Sequence, residues 1–104
     1  MQVKVNIMAE WKEFNPTAEK SIKDDFMDNP SLYYNKLIKY LNNGEVKLAS
    51  PERAIDVISG DRISQTNSIL TDGEYSWPSS LAYYVEKYNL RLPKEFEEKI
   101  MNAL

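Results

Sequence analysis

The chain has no cysteine and no histidine among its 104 residues, and only three glycines. Without cysteine there is no disulfide, no thiolate nucleophile and no cysteine zinc site. Without histidine, the side chain most used as a general base near neutral pH is missing. The glycines stand alone at positions 44, 60 and 73, so no glycine-rich loop exists to cradle a phosphate. No apolar run approaches the roughly 20 residues of a membrane-spanning helix. The first residues, Met1 to Ile7, lack the apolar core of a secretory leader. With cysteine absent as well, the expected compartment is the cytoplasm. Lysine and arginine form no cluster and the net charge is -3, so neither nucleic acid nor a membrane is an expected partner.

What is present describes an ordinary globular protein. Hydrophobic residues make up 42% and charged residues 28%, enough apolar surface for one core. The length fits a single domain, residues 1–104. Seven tyrosines, three phenylalanines and two tryptophans supply bulk, and the tyrosines carry polar tips that need partners or water.

The stretch from Thr71 to Pro93 is the densest in signals. Asp72-Gly73 between Ile69-Leu70 and Tyr75-Ser76-Trp77 predicts a tight hairpin, because Asp-Gly readily takes positive φ angles. Tyr75 and Trp77 then share one strand face. Leu81, Tyr84, Val85 and Tyr88 recur at helical spacing, with Asn89 as a stop. Leu90-Arg91-Leu92 is extended, as the residue before a proline prefers. A last helix follows Pro93, carrying Phe96, Ile100 and Leu104.

Elsewhere, alternation in Met1–Met8 predicts a strand, with Val3, Val5 and Ile7 on one side. The five prolines punctuate the chain, and each precedes a predicted helix. Pro16–Met27 reads as a short helix with an acidic side. Pro30–Asn42 carries Tyr33, Tyr34, Leu37, Ile38 and Leu41 on one stripe, with Gly44 as a left-handed stop. Pro51–Ser59 reads as a helix with Ala54, Ile55 and Ile58 inward. Strands are expected near 2–8, 45–49, 63–70 and 74–77. The centre of the third, Ser64 to Ser68, is polar on both faces, so its register is weakly specified. The expected fold is α+β: a small antiparallel sheet with a hairpin in the C-terminal half, packed against several short helices. The competing architecture is a mainly helical domain with one hairpin.

Chemistry is sparse. Asp61, Asp72 and Glu74 lie close to the hairpin, and converging carboxylates can do acid–base work or hold Mg²⁺. The plainer reading is a turn residue, a residue after a helix stop, and a solvated side chain. Ser79-Ser80 would need a lysine base to act as a nucleophile, and a helix start explains it more simply. No calcium-loop or other cofactor pattern appears, so no cofactor or metal is expected. Glu19, Asp24, Asp25 and Asp28 form an acidic set that reads either as a solvated face or as a surface for a basic partner. With Gln65 and Asn67 from the polar segment, they are the candidate partner-binding residues.

Several segments together resemble a group of small, mostly uncharacterised bacterial proteins. They are Tyr40-Leu41-Asn42-Asn43-Gly44, Ser50-Pro51, Asp56 to Gly60, Thr71 to Pro78, Leu81 to Val85 and Leu92 to Phe96. That group carries a Thr-Asp-Gly turn, an aromatic, a tryptophan, a Tyr-Val pair and then Leu-Pro-x-x-Phe. The likeness spans roughly residues 40 to 98. It implies an immunity-type or accessory protein of bacterial toxin and competition systems, and the group has no agreed catalytic residues to carry over. Where some members pair histidine with tyrosine, this chain has Tyr83-Tyr84, so histidine chemistry does not carry over. The functional expectation is a non-catalytic protein that occludes another protein, a basic toxin domain. The alternatives are a carboxylate-dependent enzyme and a homodimeric regulatory or mobile-element protein.

Overall fold

The computed structural model describes residues 5–103. Its six strands are β1 (Val5–Asn6), β2 (Glu45–Leu48), β3 (Arg53–Ile55), β4 (Arg62–Thr66), β5 (Ile69–Thr71) and β6 (Tyr75–Pro78). Its three α-helices are α1 (Tyr34–Asn42), α2 (Leu81–Tyr88) and α3 (Lys94–Asn102), with 3₁₀ turns at Ile7–Glu10 and Ile22–Asp25. The fold is α+β. The main sheet has the order β1-β6-β5-β2, with β3 and β4 paired separately. β2, β5 and β6 run antiparallel, and β1 adds a short parallel edge to β6.

The expected hairpin is β5–β6. Gly73 takes φ +101° at its turn. Asp72 Oδ1 accepts from the backbone amides of Glu74 and Tyr75 at 2.9 and 2.8 Å, closing the turn with a side chain. Tyr75 and Trp77 face the same way and meet Phe96 of α3, with ring centroids 4.6 and 5.4 Å apart. The Trp77 Nε1–H donates to the Leu41 carbonyl at 3.0 Å, so this buried indole leaves no orphan donor. Burying one such ring contributes on the order of 5 kcal/mol.

α1 buries Leu37 and Leu41, whereas Tyr33, expected on the same stripe, precedes the helix and is exposed. It begins four residues later than Pro30 suggests, because Ser31 holds a turn instead, accepting from Tyr33 and Tyr34 amides. α2 stops at Asn89, which sits at φ 55° as the spacing predicts. Gly44 is not a left-handed stop; Asn43 ends α1 by donating to Lys39 and Tyr40 carbonyls.

Three predicted elements are overturned. Pro51–Ser59 is not a helix: Arg53–Ile55 is a strand, with Ala54 and Asp56 inward and Ile55 and Val57 outward. The helical spacing of Ala54, Ile55 and Ile58 was deceptive because the second inward residue is a carboxylate. Pro16–Met27 is not a helix either. Asn15 caps a turn by accepting from Thr17, and only Ile22–Asp25 coils, closed by a Ser21–Asp24 capping box. The predicted strand 63–70 is broken into β4 and β5, which belong to different sheets. Of the strand near 2–8, residues 1–4 lie outside the described residues, Val5–Asn6 pairs with β6, and Ile7–Glu10 turns away as a 3₁₀ helix.

Candidate functional site

The acidic set divides once its side chains are placed. Asp25 is half-buried and its carboxylate accepts from the Trp11 Nε1–H at 2.7 Å, with Lys20 Nζ 3.1 Å away. Its carbonyl also accepts from the Arg91 amide at 2.8 Å. Asp25 therefore ties three parts of the chain together. Asp24 is exposed, yet one oxygen accepts from the Ser21 amide at 3.0 Å in the capping box. Glu19 and Asp28 are exposed. The four do not share a helix face, because that helix does not form.

Met27, Leu32 and Tyr33 lie in the same stretch as Asp24 and Asp28, and all three are exposed, Leu32 at 96%. The backbone here is anchored. The Met27 amide donates to the Asn89 carbonyl at 3.3 Å and Asn89 Nδ2 donates to the Met27 carbonyl at 3.2 Å. Phe26 stacks on Tyr88 with centroids 4.6 Å apart. The segment is a loop held at its base, with acidic and apolar side chains outward.

Gln65 is half-buried on β4, while Asn67 is exposed at the turn into β5 and donates its amide to the Glu52 carbonyl. The polar centre of this segment has a structural cause. Ser68 Oγ accepts from the Ser50 amide and donates to the Ser50 carbonyl, at 3.0 and 3.1 Å. Thr66 Oγ1 meets Ser68 Oγ and Ser79 Oγ at 3.0 and 3.1 Å. These hydroxyls join the two sheets where their strands part. Ser79 is a member of that network, its hydroxyl donating to the Thr66 carbonyl.

The three carboxylates near the hairpin do not converge. Asp72 and Glu74 share Lys99, whose Nζ lies 3.0 and 2.9 Å from them. The Tyr40 hydroxyl donates to the same Asp72 oxygen as Lys99, Oδ2, at 2.6 Å. Burial alone would raise the Asp72 pKa, but Tyr40, two amides and Lys99 hold it below the usual range. In return, burial and the Asp72 carboxylate push the Tyr40 hydroxyl up to about 12. Asp61 stands apart, in the exposed loop between β3 and β4. Beside Asp72, a cleft of 360 Å³ opens among Tyr40, Asn43, Glu45 and Thr71.

One carboxylate escaped the sequence reading. Asp56 is fully buried. Its Oδ2 accepts from the Tyr83 and Tyr88 hydroxyls, each at 2.6 Å, and its Oδ1 from the Ile58 and Ser59 amides at 2.7 and 3.1 Å. Burial pushes its pKa up, but the two hydroxyls and two amides outweigh that and hold it down at about 2. Asp56 followed by Ser59-Gly60 carries the mark of a side-chain-capped turn. Of its tyrosine partners, Tyr88 was legible as part of the α2 stripe and Tyr83 was not.

Among the described residues, no three potential metal ligands stand together, and no helix is long and apolar enough to cross a membrane. Comparison with protein-family models, curated proteins and solved structures finds no match to the chain. The likeness over residues 40 to 98 therefore rests on its motif alone. Its Thr-Asp-Gly, tryptophan and Tyr-Val positions supply the turn, the core indole and the buried face of α2. These are folding roles. Between Asp24 and Tyr33 the side chains of Asp24, Met27, Asp28, Leu32 and Tyr33 are exposed.

Proposed function

We propose that this chain is a non-catalytic protein-interaction protein, an immunity-type inhibitor that covers the basic active site of a bacterial toxin. The observation that carries the reading is the anchored loop from Asp24 to Tyr33. There, exposed carboxylates stand beside Met27, Leu32 and Tyr33, all exposed. Acidic side chains steer and orient a basic protein, and apolar side chains supply the buried contact once water is excluded. Because Asn89 and Tyr88 already hold the loop, little ordering remains to oppose binding. The net charge of -3 and the sequence likeness support the same reading.

The test uses the product of the neighbouring gene. Co-purification as a 1:1 complex, weakened by salt, and rescue of growth when both are expressed are the expected results. Asp28→Lys combined with Leu32→Asp should weaken that complex at least about tenfold while leaving the fold intact. Failure of both co-purification and rescue removes the proposal's main support. A complex indifferent to the double substitution moves the interface elsewhere.

A further inference from the structure

The sheet ends on an open edge. Among the described residues, β2 hydrogen-bonds to β5 on one side only, and all four of its residues are exposed. The ladder slips between Val46 and Leu48: Val46 pairs with Leu70, Leu48 with Ile69, and Lys47 is the extra residue. Directly paired residues share a sheet face and consecutive ones alternate. The bulge therefore sends Val46 to the face of buried Leu70 and Leu48 to the opposite face, with Ile69. Val46 is 58% and Leu48 64% exposed. This edge is uncovered and apolar on both faces at once. A helix lying on the sheet would cover one of them. An added strand covers both.

A lysine and a bulge are common protections of an edge strand. Here the lysine sits two residues from a glutamate. In an antiparallel pairing of β2 with its own copy, centred on Val46, each Glu45 lies opposite the second copy's Lys47. Opposite charges across a pair stabilise it, so the lysine that repels most strands is matched by this one. Val46 then faces Val46 and continues the apolar face begun by Leu70.

We propose that β2 is a homodimerisation edge, through which two copies form one continuous sheet about a twofold axis. The closing is isologous, so it leaves no further edge at β2 for growth into fibres. The proposal is independent of the toxin-inhibitor reading above.

Sedimentation equilibrium with charge variants tests it. The wild-type chain should show a monomer–dimer equilibrium. Glu45→Lys and Lys47→Glu each replace two attractive pairs by two repulsive ones, and each should weaken dimerisation about tenfold or more. Mixing the two variants restores both attractions across the pair, so the mixture should form a heterodimer while neither component dimerises alone. Both side chains are exposed, and circular dichroism should show both variants folded. A wild-type chain that stays monomeric at millimolar concentration overturns the proposal. So do single variants that dimerise as well as the wild type, and a mixture that fails to associate.

Discussion

Gly44 lies against Trp77 so closely that a β-carbon at position 44 would stand 2.7 Å from the indole ring and 3.0 Å from the Leu70 side chain. The glycine is required by space, not by backbone angle. Gly44→Ala should therefore cost roughly 1–3 kcal/mol through overpacking. Gly60, at φ +81° with nothing within 4 Å of a β-carbon, presents the opposite case. Gly60→Ala should cost about 1 kcal/mol by backbone strain alone. Urea unfolding of both variants measures the two costs. Near-ultraviolet circular dichroism separates the causes, since only the first should disturb the tryptophan signal.

Asp56 should make the protein acid-sensitive. Its folded pKa of about 2 lies below the ordinary value of 3.8. A depressed carboxylate contributes stability above its unfolded pKa and loses it as pH falls through the folded one. The contribution, about 2 kcal/mol, is present above pH 4 and should disappear between about pH 4 and 2. Asp56→Asn should destabilise the protein at neutral pH and flatten this part of the acid limb. Asp72 and Glu13 are also held low, so a residual slope should remain. Unfolding free energies measured from pH 7 to pH 2 check it; an unchanged slope in the variant would show that Asp56 is not the source.

The acidic residues should separate by role. Asp25→Ala strands the buried Trp11 indole N–H and should cost about 1–3 kcal/mol. Asp28→Ala and Glu19→Ala, both at exposed positions, should change stability by less than about 0.5 kcal/mol. Thermal unfolding of the three variants distinguishes them. Equal effects would mean that Asp25 does not tie the segment down.

The legibility of the chain followed the distance over which each element is determined. The β5–β6 hairpin, α2 and α3 were readable because Asp72-Gly73, the Leu81–Tyr88 stripe and Phe96–Ile100 act within a few residues. β3 was misread because its inward partner is Asp56, and nothing nearby announces that two tyrosines some thirty residues away will satisfy it. Pro16–Met27 was misread because its helix signals were weaker than Asn15 and Ser21 capping tight turns. The candidate surface was legible as charge but not as geometry. Asp24 and Asp28 remained outward, whereas Asp25 was taken by Trp11, and the exposure of Leu32 has no signature in spacing.

The clasp at Asn89 has a consequence for the order of folding. The Trp11–Met27 region contains no regular strand or α-helix and is tied to the late part of the chain: Asp25 to Arg91, Met27 to Asn89, Phe26 to Tyr88. Closing such distant pairs costs loop entropy before any contact forms. In pulsed hydrogen exchange during refolding, amides of the hairpin and α2 should be protected first and those of residues 20–27 afterwards; the reverse order would contradict this. During synthesis, the early segment would then leave the ribosome well before its partners exist, and be among the last to settle.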